Sequence, residues 1–362
     1  LSGVNVSIAN ALRRIILSEI PTIVFRTSPY EENLVDFQLN TTRMNNELIK
    51  QRLSCVPIHI TDTGFEHKDY LVEADLQNDT DAIMYLTTGD FKIKNTQNDK
   101  YLTDGEVKKI FPPDSISNDF IELVRLRPKI SDVIPGEHIK FSAQLDIGMA
   151  KQDSAFNVAS TCSYGASIDP IKINEVWTNK NKELKASGET KDSIASIKKD
   201  WDLLDAKRII LDDSFDFTIE SVGPFTNYMI VHKAADVMIG KLKKFSDDIQ
   251  SNESMIKESS STIQHCYDIV LENEDHTLGK VLEYILYTKY YQIDKANTEE
   301  QTSTNNLTYC GFSKPHPHIN QSIVRIAFIN NKDKIDLVTL LVGVADIATI
   351  IYKTIGDEFK TE

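Results

Sequence analysis

Two segments of the sequence repeat one pattern, a polar cap followed by apolar residues at helical spacing. Asn5 stands three residues before Ile8, and Asp275 stands three residues before Leu278. The side-chain oxygen of such a cap accepts a hydrogen bond from a free amide of the first helical turn. Apolar residues at spacings of three and four form one helix face. We therefore predict two matching helices, with apolar positions Ile8, Ala11, Leu12, Ile15 and Ile16 in the first and Leu278, Val281, Leu282, Ile285 and Leu286 in the second.

Each of these helices belongs to a longer block that ends in a strand and a long apolar-faced helix. In the first block the strand is predicted at 215–223 and the helix at 227–245; in the second the strand is at 322–330 and the helix starts near Lys334. Apolar faces of this width must be buried, and two related units can bury them against each other. We therefore predict an α+β fold in which two units of sheet and long helices pair as an intramolecular pseudo-dimer. The predicted pairing interface consists of Ile8, Leu12, Ile15, Met238, Leu278, Leu282, Ile285, Leu340, Val344 and Ile347.

The first block is interrupted by a different kind of sequence. Alternating and β-branched runs between Asn, Asp, Gly and Pro clusters predict a strand-rich domain inserted at 61–165. The first unit is then split between 1–60 and 166–245, a polar, serine-rich linker follows at 246–262, and the second unit covers 263–362.

Smaller elements follow from local signals. We predict strands at 22–25 and 56–60, a short helix at 45–53 and a polar loop at 294–306. Lysine-rich 172–210 is expected to be a surface excursion with some helix, and its isolated apolar anchors are Trp177 and Trp201.

Bulk properties limit the possible functions. The net charge of −14 argues against a broad basic face for nucleic acid. Four dispersed cysteines without a CxxC pair indicate a reducing, intracellular compartment in which each thiol acts as a small buried hydrophobe. No apolar run reaches the roughly 20 residues needed to span a bilayer, and we expect no membrane partner.

The segment before the second helix is also rich in groups that do chemistry. Glu272, Glu274, Asp275 and His276 are candidates for a metal site or an acid/base pair. A helix-borne zinc site needs ligands one turn apart, as in HExxH, and that spacing is absent. A helix start with a favourable negative charge is the preferred interpretation.

Two further histidines, His316 and His318, alternate with Pro315 and Pro317. The prolines favour a rigid, extended run leading into the next strand over a metal site.

Five segments together resemble the α-like subunits of multisubunit DNA-dependent RNA polymerase. NVSIANALRRIILSEIPTIVF (5–25), NNELIKQRLSCVPIHI (45–60) and DIGMAKQDSAFNVASTCSYG (146–165) resemble the larger subunit, which is the archaeal D type and is related to bacterial α. ENEDHTLGKVLEYIL (272–286) and GFSKPHPHINQSIVRI (311–326) resemble the smaller, archaeal L-type subunit. Cells make the two as separate chains, whereas one fused chain resembles the arrangement in large DNA viruses.

The resemblance implies a non-catalytic assembly platform, with catalysis in the two largest subunits. Its expected partners are those two subunits and a small subunit on the platform, with DNA and RNA reached only through the complex. The first helix of the family carries large-subunit contacts, so Arg13 and Arg14 are the expected docking residues, with Lys50 and Arg52 as weaker candidates. Reversing the charge of Arg13 and Arg14 is expected to weaken that docking without unfolding the chain.

The resemblance also bears on cofactors and location. Some members carry a cysteine cluster for zinc or iron–sulfur, but the first block has only Cys55 and Cys162, so we expect neither cofactor. A viral member would work in the host cytoplasm and be packaged in the virion. The family's strand ahead of the first helix has no counterpart here and Leu1 is not Met, so we expect residues to precede Leu1.

Two other functions are consistent with the residues alone. One is a stand-alone interaction module whose repeat forms a homodimer. The other is a metal-dependent hydrolase that uses the acidic cluster before Leu278.

Overall fold

The structure, a computed structural model, describes residues 1–62, 64, 66–131, 133–291 and 307–360. The chain divides into two compact units. Unit 1 comprises Leu1–Ile15, Cys162–Ile219 and Ala235–Asp357. Unit 2 comprises Ile16–Thr161 and Glu220–Ala234, with the chain end from Glu358.

Helices and sheets are mixed along the whole chain. The helices of the described residues are α1 Val6–Ser18, α2 Asn46–Ser54, α3 Asp104–Ile110, α4 Pro170–Ala186, α5 Lys191–Leu203, α6 Asn227–Ser251, α7 His276–Leu286 and α8 Lys334–Glu358. The strands are β1 Thr22–Phe25, β2 Val35–Asn40, β3 Tyr70–Gln77, β4 Met84–Thr87, β5 Lys92–Asn95, β6 Lys100–Tyr101, β7 Glu122–Leu126, β8 His138–Gly148, β9 Ala159–Ile168, β10 Ile210–Ser221, β11 Ile256–Glu258, β12 Cys266–Glu272, β13 Leu307–Ser313 and β14 Gln321–Phe328.

Unit 2 is built on an antiparallel sheet in the order β1-β8-β3-β5-β6, with β2 also paired to β8. Along β8, buried and more exposed residues alternate, because successive side chains of a strand point to opposite faces. The buried face carries a core that includes Phe25, Phe91, Phe111 and Phe141. This core takes residues from both sides of the boundary predicted at residue 60, and that boundary stays a prediction.

Unit 1 contains a four-stranded sheet in the order β11-β12-β14-β13. Strands β12 and β14 are antiparallel, and Asp268 lies directly opposite Arg325. The guanidinium of Arg325 donates two hydrogen bonds to that carboxylate, at 2.6 and 2.8 Å. This bidentate pair fixes the strand register and raises the pKa of Arg325.

The lysine-rich segment forms a helical hairpin of α4 and α5. Trp177 and Trp201 are buried against each other with ring centroids 6.0 Å apart. The ammonium groups of Lys180 and Lys198 lie over the two rings, at 4.7 and 5.3 Å from the centroids. The two tryptophans that the sequence marked as isolated anchors therefore share one small core.

Several element predictions are confirmed. The structure contains the predicted helices at the start of both blocks, the short helix α2 with its cap at Asn45, and strand β1. The strand-like runs of 61–165 form β3, β4, β7 and β8. The polar loop predicted at 294–306 lies outside the described residues.

Other element predictions are wrong, for identifiable reasons. Residues 56–60 form no strand, although Val56 and Ile58 are buried; their apolar character reflects core packing. The segment predicted as a linker holds the last turns of α6 and strand β11, which pairs with β12, so it is not a structureless loop; its role between domains stays a prediction. The run around His316 is a turn closed by the Ile319 amide donating to the His316 carbonyl, at 3.2 Å.

The cysteines are free thiols in the part of the chain that the structure describes. Burial raises the pKa of Cys162 to about 11 and that of Cys310 to about 12, which keeps both protonated near neutral pH. Cys55 is exposed, because it ends α2 at the surface, so the expectation of a buried thiol is wrong there.

Helix α8 is long and apolar enough, by length and composition, to cross a membrane. We expected no such segment. A core helix meets the same criterion, and one face of α8 is buried, including Leu337, Leu341, Val344 and Tyr352.

Gly136 gives a direct test of the packing in unit 2. A Cβ built on Gly136 would lie 1.7 Å from the carbonyl oxygen of Asn78. Because that oxygen belongs to the backbone, no side-chain rotation can relieve the clash. We expect Gly136→Ala to reduce the free energy of unfolding by about 1–3 kcal/mol, measured by denaturant titration. In Gly105→Ala, the matched control in α3, the added methyl meets open space, so stability should stay equal or rise by up to about 1 kcal/mol. Equal stability of both variants would contradict this account.

Candidate assembly interface

The caps of α1 and α7 have the same geometry. The Asn5 side chain accepts a hydrogen bond from the Ser7 amide at 2.9 Å, and the Asp275 side chain accepts one from the Thr277 amide, also at 2.9 Å. In each helix the amide donor lies two residues after the cap, in agreement with the aligned sequence pattern. The two helices are thus equivalent in their first turn as well as in their apolar positions.

Arg14 of α1 connects directly to the cap of α7 within unit 1. Its Nε donates to the hydroxyl of Thr277 at 2.8 Å, and its Nη2 forms an ion pair with the Asp275 carboxylate. The two charged side chains are 35% and 31% exposed, so this pair is partly shielded from water. Asp275 therefore serves two purposes, since it caps its own helix and holds the first one.

Two further contacts join the same parts of unit 1. Lys241 of α6 donates to Glu274, beside the α7 cap, at 2.8 and 3.1 Å. The Tyr352 hydroxyl of α8 donates to the carbonyl of Ile8 in α1 at 3.3 Å. Tyr352 is fully buried, and burial raises the pKa of its hydroxyl, which stays a neutral donor.

The residues predicted for the pairing interface are buried in unit 1, with one exception. Ile347 is only half-buried. Ile350, on the same helix, is 65% exposed although it continues the apolar pattern. The buried set is Ile8, Leu12, Ile15, Met238, Leu278, Leu282, Ile285, Leu340 and Val344. A fully buried Leu or Ile contributes about 1.5–3 kcal/mol, so these positions contribute strongly to the stability of unit 1.

One small residue lets β13 approach α7 closely. A Cβ on Gly279 would lie 2.0 Å from the ring of Phe312. That ring packs edge-on against His276, with centroids 4.9 Å apart, and the Phe312 amide donates to Glu283 at 3.1 Å. In the alignment of the two helices Gly279 corresponds to Ala9 of α1, so this close approach belongs to the second block.

The other predicted docking residues lie in separate places. Arg13 donates to Asn10 on its own helix, at 3.0 and 3.1 Å. Lys50 of α2 lies 3.4 Å from Glu47 on the same helix, and Arg52 donates to the carbonyl of Leu123 at 2.7 Å. Arg13 is in unit 1, whereas Lys50 and Arg52 are in unit 2.

The acidic cluster is divided among different partners. Glu272 accepts from Gln321 at 3.4 Å, Glu274 pairs with Lys241, and Asp275 binds Arg14. Among the described residues, no group of three His, Cys, Asp or Glu side chains converges as metal ligands. The arrangement positions helices and favours neither a metal site nor an acid/base pair.

Sequence reasoning missed three members of this interface. Thr277 and Lys241 carry no pattern that would single them out, because their roles depend on which helices meet. Tyr352 could have been found, since it lies four residues after the buried Ala348 on the apolar face of α8.

Comparison with known proteins identifies the family of this chain. The profile of the family described as "RNA polymerase Rpb3/Rpb11 dimerisation domain" matches residues 1–242. The chain belongs to this family.

Curated relatives extend the comparison. The DNA-directed RNA polymerase subunit Rpo3 of Pyrococcus furiosus is 26% identical over 270 residues, which cover 69% of this chain and 91% of the relative. The DNA-directed RNA polymerases I and III subunit RPAC1 of Homo sapiens is 23% identical over 290 residues, 69% of this chain and 80% of the relative. Subunit 3 of DNA-directed RNA polymerases II, IV and V from Arabidopsis thaliana is 24% identical, over 68% and 86%. The chain is thus an α-like relative of RNA polymerase subunits.

The two caps give a stability test. We expect Asn5→Ala to reduce the free energy of unfolding by about 0.5–2 kcal/mol, because one amide of α1 loses its acceptor. Asp275→Asn keeps an acceptor and loses only charge, so its effect should be smaller than that of Asp275→Ala, which loses the cap and the Arg14 partner. Denaturant titration of the three variants measures this order. Equal effects of the Asn and Ala substitutions at 275 would contradict the double role of Asp275.

Proposed function

We propose that this chain is a non-catalytic platform of a DNA-directed RNA polymerase. In it, two α-like repeat units, the first at 1–60 and 166–245 and the second at 263–362, pair within one polypeptide. These repeat units differ from the compact units 1 and 2 of the fold, since the contacts between α1 and α7 lie in unit 1. The paired repeat units dock the two largest subunits and one small subunit. The observation that carries the proposal is the equivalence of α1 and α7. They share the cap geometry and the apolar spacing, and the cap of one binds a side chain of the other.

The first unit of this platform is supported by the family, whose described function is dimerisation. The family match ends at residue 242, and the second unit rests on the repeat. The contacts of Asp275, Thr277 and Tyr352 with α1 then take the place of an interface between two separate subunits. A single chain that carries both units supports a large DNA virus as its source, with function in the host cytoplasm and packaging in the virion.

The absence of catalysis is part of the proposal. The groups that could form an active site before α7 are occupied by structural partners, and no cofactor is assigned to the chain. Chemistry would then belong to the two largest subunits, and DNA and RNA would be reached through them.

Arg13 is the residue with which to test docking. Its hydrogen bonds go to Asn10 on its own helix, and its charge also lies near the Cys162 thiol, so reversing the charge should disturb the fold little. Arg14 is unsuitable, because its reversal would also place a carboxylate beside Asp275. We expect Arg13→Glu to reduce co-purification of the large subunits by roughly tenfold or more, since a charge pair across an interface is lost.

The control for this experiment is Arg208→Glu, at an exposed side chain that pairs with Asp205 at 3.6 Å on its own turn. It should co-purify the large subunits as the wild type does. Unchanged recovery with Arg13→Glu would rule out Arg13 as a docking residue.

Burial of the apolar face of α7 is tested by a substitution. Leu282 is 1% exposed, so Leu282→Asp would bury an unpaired carboxylate. We expect a loss of more than about 3 kcal/mol in the free energy of unfolding, seen in thermal melting or denaturant titration. Ile350→Asp, at the exposed position of α8, is the matched control and should melt close to the wild type.

A further inference from the structure

The Arg14–Asp275 pair is one-sided, although the two helices that carry it are equivalent. In the alignment that places Asn5 on Asp275, Arg14 of α1 corresponds to Tyr284 of α7. The reciprocal contact would join Tyr284 to Asn5. Neither of these side chains carries a charge at neutral pH, so an ion pair can form only in one direction.

This asymmetry distinguishes the possible pairings. When a first repeat unit, which carries α1, meets a second repeat unit, which carries α7, Arg14 faces the Asp275 carboxylate and the Thr277 hydroxyl. This is the arrangement in the structure. When two first units from separate copies meet, each Arg14 would face the neutral amide of Asn5. When two second units meet, each Asp275 would face the phenol of Tyr284.

We propose that the Arg14–Asp275 pair is a specificity determinant that favours pairing of the two different units within one chain over pairing of like units between chains. This inference rests on the proposed function, because it requires the two blocks to be paired units. The apolar faces of α1 and α7 have matching positions, so the spacing of their apolar residues does not by itself discriminate between pairings. A charge pair that exists in one combination supplies the difference.

The surroundings of the pair suit this role. Both side chains are about two-thirds shielded from water, so screening reduces their attraction less than at a fully exposed site. The Thr277 hydroxyl accepts from Nε while Asp275 accepts from Nη2, so the planar guanidinium is oriented by two bonds. Asp275 is held in turn by the amide of Thr277 at 2.9 Å.

The test exchanges the two caps. The double variant Asn5→Asp/Asp275→Asn keeps a side-chain acceptor at both helix starts, since Asn and Asp cap about equally well. It leaves composition and net charge unchanged. It moves the carboxylate to the first unit, where Arg14 of a second copy can reach it. A symmetric dimer of first units would then gain two ion pairs.

The measurement is sedimentation equilibrium of the isolated full chain over a range of concentrations, with thermal melting beside it. We expect the wild type to be monomeric. We expect the cap-exchange variant to have an association constant at least about tenfold higher, and a melting midpoint about 2–4 °C lower. Both differences should shrink at 1 M NaCl, where the Debye length is about 3 Å. A packing defect would not respond to salt in this way.

The control is Arg14→Gln added to the cap-exchange variant. Without the guanidinium the new carboxylate has no partner, so association should return to the wild-type level. The inference is overturned if the wild type is monomeric and the cap-exchange variant matches it in mass and melting midpoint. A dimeric wild type would instead contradict the intramolecular pairing of the proposed function, which separates the two failures.

Discussion

Burial of the apolar faces of α1, α7 and α8 is the constraint on which unit 1 depends. An apolar helix face is unstable in water, and a helix cannot bury its own face, so each of these helices needs a packing partner. The buried residues of α1, such as Ile8 and Leu12, are more than 250 positions away from those of α7, such as Leu282. The chain must therefore bring these distant segments into one core.

Polar contacts at the rim of this core give the arrangement its direction. Apolar faces with matching spacing would permit several pairings of nearly equal stability. Arg14, Asp275 and Lys241 add directional polar contacts to this core. Unit 2 has a similar contact at a smaller scale. The buried carboxylate of Glu137 accepts from the amide and the guanidinium of Arg127, and so joins the end of β7 to the start of β8.

The acidic segment before α7 shows how chemistry can be misread from composition. Glu272, Glu274, Asp275 and His276 are the residue types of a metal site, and they lie within five positions. Each one has a separate structural partner: the carboxylates bind Gln321, Lys241 and Arg14, and the ring of His276 packs on Phe312. Asp275 alone of the four is seen to accept from an amide of the first turn, where negative charge is favourable.

The sequence by itself determined the local structure and the repeat: the caps at Asn5 and Asp275, the apolar faces, and most strands of unit 2. These depend on residues close in the chain, where period and capping chemistry decide the outcome. Only the tertiary structure decided the role of Arg14, the buried hydroxyl of Tyr352, and the exposure of Ile350. It also turned the apolar run at 56–60 into core packing without a strand. Those outcomes depend on which surfaces meet across long distances in the chain, and a local pattern of apolar and charged residues does not contain that information.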